Sequence, residues 1–75
     1  MNEKTIMMAK HLHTYQDGNR TCEVYVALSG GYATRHYKKI EGGNVWQKDV
    51  LHTGKSEVWA ENAAENWVLK LGEGG

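Results

Sequence analysis

The sequence predicts an α+β domain, an antiparallel sheet of three to four strands in a β-meander packed against one C-terminal α-helix. Three observations carry that expectation. Residues 21 to 29 alternate apolar and polar side chains, Gly- and Asn-rich pairs punctuate the chain where turns are needed, and the last third holds a single apolar stripe at helical spacing. At 75 residues there is room for one hydrophobic core, so the chain reads as a single domain over 1–75, with 1–4 and 72–75 expected to be flexible.

The elements follow in order. Thr5 to Gln16 lacks a helical stripe and reads as a strand, closed by Asp17-Gly18-Asn19, whose side chains favour a tight turn. In Thr21 to Ser29, alternation sends Cys22, Val24, Val26 and Leu28 to one face and Glu23, Tyr25 and Ala27 to the other. Gly30-Gly31 suits a two-residue hairpin loop, which would pair Leu28 with Ala33, Val26 with Arg35, Val24 with Tyr37, Tyr25 with His36 and Glu23 with Lys38. Glu41 to Asn44 forms the next turn. Val45 to His52 then reads as a fourth strand in which Trp46 and Val50 share a face, Ile40 opposes Val45, and His36 opposes Asp49. Ser56 is placed to cap a helix, Glu57 suits its positive end, and Gly72 can close it in a left-handed conformation. Between them Ala60, Ala63, Ala64, Trp67, Val68 and Leu71 form the buried stripe, the alanines allowing close approach to the sheet.

Nine Lys plus Arg against nine Asp plus Glu remove any global electrostatic case for a nucleic-acid binder or an acidic DNA mimic. The charge is unevenly spread. Residues 1–55 hold eight basic and five acidic side chains (+3), whereas 56–75 hold Lys70 against Glu57, Glu61, Glu65 and Glu73 (−3). A single cysteine excludes an internal disulfide, and the short apolar run Ile6 to Ala9 is too small for a signal or membrane segment, so a cytoplasmic location is expected.

Few residue groupings suggest chemistry. His11 and His13, two apart on a strand, share a face and with Cys22 and His36 could in principle ligate zinc, but one pair without a second leaves solvated edge histidines the better reading. The expected registers bring Tyr25, His36 and Asp49 into one row that could orient a general base, yet no nucleophile accompanies it, and Cys22 belongs to the core, where a thiol is inert. The expectation is therefore no enzyme, no metal and no cofactor.

Two surfaces remain. Arg35, Tyr37, Lys38 and Lys39 mix cations with an aromatic ring as single-stranded nucleic-acid surfaces do, although alternation sends Arg35, Tyr37 and Lys39 to one face and Lys38 to the other. On the helix, Val58 and Leu69 lie opposite the stripe, Trp59 lies at its margin, and Glu57, Glu61 and Glu65 form a like-charge ridge costing about 0.2–0.5 kcal/mol per pair, so a basic partner would give it a purpose. Val58, Trp59, Glu61, Glu65 and Leu69 are thus the candidate protein-binding residues, and the nucleic-acid reading is the alternative.

Over roughly residues 21–72, the strands joined by tight Gly/Asn turns and the short helix from Ser56 through Ala64-Glu65-Asn66-Trp67-Val68 resemble the build of small phage-encoded inhibitors. Anti-CRISPR proteins and inhibitors of host RNA polymerase are examples. The resemblance implies a mini-domain without an active site that blocks a host protein or ribonucleoprotein complex by occupying its surface, as a monomer or homodimer in the bacterial cytoplasm. Zero net charge departs from the acidic DNA-mimic members.

Overall fold

A computed structural model describes residues 5–70. Four strands, β1 (Met8–Asp17), β2 (Arg20–Ala27), β3 (Tyr32–Ile40) and β4 (Gly43–His52), precede one helix, α1 (Glu57–Val68). The strands form one antiparallel sheet in the order β1-β2-β3-β4, as the meander expectation requires. The expectations for 1–4, 72–75, Leu71 and Gly72 lie outside the described residues.

The helix packs over β1, β2 and β3, with its largest share of contact on the interior strand β2. Cys22 and Val24 meet Ala60, Ala64 and Val68 to form the core, with Leu12, Tyr15, Tyr32 and Trp67 packed around it. The fully buried alanines bring the helix backbone close to the sheet, and Trp67 fills space at its end. Ser56 Oγ accepts the Trp59 N–H at 3.1 Å, the expected N-cap. The other end differs from expectation. Leu69 is the C-cap and Lys70 adopts φ 62°, so the left-handed residue comes before Gly72. No basic residue occupies the helix's last turn, and Arg20 of β2 supplies one from outside: its Nη1 donates to the Trp67 carbonyl at 2.9 Å while the guanidinium lies 4.8 Å from the Trp67 ring.

The β2–β3 register is not the one a Gly30-Gly31 loop would set. Val26 pairs with Tyr32, Val24 with Thr34, Glu23 with Arg35 and Cys22 with His36. Leu28 and Ser29 join the two glycines in the loop, while the Leu28 N–H continues the pairing with the chain ahead of β1 by donating to the Met7 carbonyl at 2.8 Å. Leu28 is consequently 61% exposed and does not belong to the core face. The change of register is odd in number, and an odd slip turns every β3 side chain to the opposite face relative to β2. His36 and Thr34 therefore lie beneath the helix, and Arg35 and Tyr37 lie on the outer face with Glu23 and Tyr25.

A shorter β3–β4 turn and two bulges correct four further expectations. Between His36 and Tyr37 the β3–β4 register shifts: Tyr37 pairs with Trp46, but Arg35 pairs with Asp49 and Thr34 with Val50. The extra residue puts Trp46 on the outer face with Asp49, while Val50 joins Thr34 on the other face, so Trp46 and Val50 do not share one. Ile40 opposes Gly43, not Val45, and Lys48, not Asp49, opposes His36. In β1 a register shift between His11 and His13 pairs His11 with Tyr25 but His13 with Val24, so these histidines point to opposite faces.

Candidate functional site

Three sets of polar and exposed groups merit description, and the outer face of the sheet holds the most tightly bonded one. The Asp49 side chain is 0% exposed and accepts four hydrogen bonds: from Arg35 Nε at 2.9 Å, Arg35 Nη2 at 2.8 Å, Trp46 Nε1 at 2.8 Å and the Ile6 backbone N–H at 2.7 Å. Arg35 Nη2 also donates to the Ile6 carbonyl at 3.0 Å, fastening the segment ahead of β1 across β3 and β4. Burial pushes the Asp49 carboxyl up, but the bonds from Arg35, Trp46 and Ile6 outweigh it and hold the pKa below the ordinary aspartate value. The Arg35 guanidinium is raised further above its usual range, chiefly by its hydrogen bonds to Asp49.

This cluster alters two sequence expectations. The row Tyr25, His36 and Asp49 does not assemble; the β3–β4 pairing sets Arg35 opposite Asp49, and the β2–β3 register places His36 on the helix face beside Cys22. Arg35 is also engaged by a buried carboxylate and is no free cation for phosphate. Tyr37 and Lys39 share its face, whereas Lys38 faces the opposite way, so the basic run 35–39 offers no continuous positive patch.

Under the helix, Thr34 Oγ1 lies 2.8 Å from His36 Nε2 and 2.9 Å from His52 Nε2, and His36 Nδ1 lies 3.6 Å from Cys22 Sγ. The Trp67 ring meets the His36 ring edge-on with centroids 4.6 Å apart. A cysteine beside a histidine is the arrangement of a thiol nucleophile, yet here burial drives the two groups away from an ion pair. It pushes the Cys22 thiol up to about 12 and brings His36 down to about 4. Both are neutral near pH 7, and neither reaches solvent, so the pair is a satisfied part of the core. Raising a thiol from 9.0 to about 12 cuts its thiolate fraction about 1,000-fold. Iodoacetamide should accordingly label native Cys22 at least about 100-fold more slowly than the urea-unfolded chain, read by mass spectrometry. Rapid native labelling would contradict the buried, protonated assignment.

The zinc set His11, His13, Cys22 and His36 is not brought together. His11 lies on the outer face, its ring 5.2 Å from that of Tyr25, with Nε2 2.7 Å from Thr14 Oγ1. His13 instead faces the helix, where Nε2 is 2.8 Å from Glu61 Oε2 and 3.4 Å from Glu57 Oε2. The acidic ridge thus has a partner within its own chain, which the sequence distance between β1 and α1 concealed. The ridge also bears on Tyr15, whose phenol is raised by burial first and then by the charges of Glu61, Glu65 and Glu57.

The exposed helix surface is the third set. Val58 is 62% exposed, Trp59 50% and Leu69 41%. At 3.6 residues per turn, Glu61, Glu65, Val58 and Leu69 fall within an arc of about 80°, while Trp59 lies about 160° from Glu61. Trp59 therefore belongs to the other flank, where Lys55 Nζ sits 4.5 Å from its ring and Trp59, Asn62, Ala63 and Asn66 wall a shallow depression. The five residues singled out on the helix form two surfaces. Among the described residues no helix is long and apolar enough to cross a membrane. No protein-family model matches the chain, and neither a curated protein nor a solved structure matches it.

Proposed function

We propose that this chain is a non-enzymatic protein-binding domain that docks the outward arc of α1 on a partner, with Val58 and Leu69 as apolar anchors and Glu61 and Glu65 as the acidic rim. The observation that carries this reading is the exposure of Val58 and Leu69 together on a helix face that the core leaves unused. Apolar groups rimmed by charge have the anatomy of a protein interface, and a rim of glutamates suits a basic partner surface. A domain of this build fits an inhibitor that blocks a bacterial host complex by occupation, in the manner of the phage-encoded proteins it resembles. Trp59, on the opposite flank, is not part of this arc.

The test is a Val58→Asp, Leu69→Asp double variant. Exposed positions contribute little to stability, so its melting temperature should stay close to that of the wild type. Tagged wild-type chain is used to capture a partner from nuclease-treated bacterial lysate, the partner is identified by mass spectrometry and purified, and the two affinities are compared. Two buried hot-spot contacts should together be worth at least about a tenfold loss of affinity. Equal affinity would exclude the arc, and recovery that is nuclease-sensitive and salt-labile would move the interface to Lys38 and Lys39 on β3.

A further inference from the structure

His13, Glu57 and Glu61 bring an imidazole and two carboxylates from separate elements to one point at the junction of β1 and α1. Their donor atoms all lie within 4.8 Å of one another. We propose that these three side chains form a binding site for a first-row divalent transition cation of the zinc type, bridging the sheet edge to the first turns of the helix.

The geometry has three parts. Glu57 and Glu61 are four residues apart on the helix, so their carboxylates stack on one flank. The register shift between His11 and His13 is what turns His13 toward them. In a regular strand His13 would share a face with His11, and bulges are known to re-aim a side chain in this way. Finally, the spacing suits the ion. Bonds of about 2.1 Å in a tetrahedral shell separate neighbouring ligand atoms by about 3.4 Å. His13 Nε2 is already 3.4 Å from Glu57 Oε2, and its 2.8 Å separation from Glu61 Oε2 needs to open by only about half an ångström, within the reach of a side-chain rotation. Both His13 and Glu57 are partly exposed, which leaves room for water to complete the shell.

The donor set also selects the ion. An imidazole with carboxylates suits zinc and its first-row neighbours, whereas magnesium and calcium prefer oxygen ligands alone. An imidazole supplied by β1, a separate element from the helix, is what distinguishes this group from a simple acidic surface. An ion bound here would tie the edge strand to the helix and stabilise the folded chain by mass action.

The experiment is zinc chloride titration of the full chain by calorimetry, with thermal unfolding in parallel. One equivalent of zinc should bind and raise the melting temperature, and His13→Ala and Glu61→Gln should each weaken binding at least about tenfold. His11→Ala, on the opposite face, should bind as the wild type does, as should the Val58→Asp, Leu69→Asp variant, so failure here is distinct from failure of the protein-binding reading. The site is overturned if zinc does not saturate by about 1 mM, if both variants keep wild-type affinity, or if magnesium binds equally well.

Discussion

Asp49→Ala is expected to destabilise the domain by about 3–5 kcal/mol, the usual cost of removing one partner from a buried ion pair. A chain of 75 residues has a total stability of only about 4–11 kcal/mol, so the loss is a large fraction of it and should lower the melting temperature by at least about 12 °C. The carboxylate takes four donors, and its loss leaves the Arg35 guanidinium, the Trp46 indole N–H and the Ile6 N–H without their acceptor. Three structural units lose their connection at once: β3, β4 and the segment before β1. The size of the effect comes from the stranded donors more than from the intrinsic worth of the ion pair. Asp49→Asn, which retains one oxygen acceptor, should therefore fall between alanine and the wild type. A double replacement of Arg35 and Asp49 by leucine should recover part of the loss, because exchanging both charges for apolar groups avoids an unpaired buried cation. Urea unfolding monitored by Trp fluorescence and circular dichroism measures all four proteins. An alanine variant within about 1 kcal/mol of the wild type would show that the cluster is held open to water.

The same cluster shows where the sequence was legible. The α+β class, with an antiparallel sheet of three to four strands and one C-terminal helix, could be read because it rests on local signals: alternation in 21–29, Gly/Asn punctuation, the Ser56 cap and the alanine stripe. Registers could not. Pairing is decided by how many residues a loop consumes and where a bulge inserts, and neither the entry of Leu28 and Ser29 into the β2–β3 loop nor the extra residues in β1 and β4 has a local signature. Every candidate site on the sheet depended on register. A shorter β3–β4 turn and a bulge in β4 put Arg35 in place of His36 beside Asp49, the β2–β3 loop turned His36 beneath the helix, and one bulge separated His11 from His13. The acidic ridge on the helix was the one visible sign of the β1–α1 cluster, since like charges at that spacing are unfavourable alone. The source of its counter-group, His13, lay 44 residues away.

Acid should unfold this protein in a window set by the buried imidazoles. His36 is lowered from 6.5 to about 4, first by burial and then by the charges of Lys48 and His52, with Asp49 opposing. In the unfolded chain it takes up a proton near 6.5, whereas the folded chain refuses that proton until about pH 4. Unfolding is then coupled to proton uptake between these values, so the stabilisation is complete above pH 6.5 and declines as the pH falls toward 4. A difference of this size amounts to about 3 kcal/mol across the window. The half-buried His52 is lowered by burial and contributes with the same sign.

Hydrogen bonding gives this linkage a structural cause. The single Thr34 hydroxyl lies between His36 Nε2 and His52 Nε2, and having one proton it donates to one ring and accepts from the other. A proton added to the accepting ring's Nε2 turns an acceptor into a second donor and breaks the chain. Asp49, held below 3.8, acts in a lower window: its contribution is present above that value and is lost as the pH falls through its folded pKa. The measurement is urea unfolding at several pH values between 7.5 and 4.5, with His36→Phe as the comparison and an NMR titration of the His36 ring in the wild type. The wild type should lose most of the 3 kcal/mol estimated above, the phenylalanine variant should show a shallower slope, and the His36 signals should stay unshifted until the pH nears 4. A His36 ring that titrates near 6.5 in the folded protein would refute the linkage, and so would a variant that keeps the full slope, since each would place the acid sensitivity outside the Thr34-centred chain.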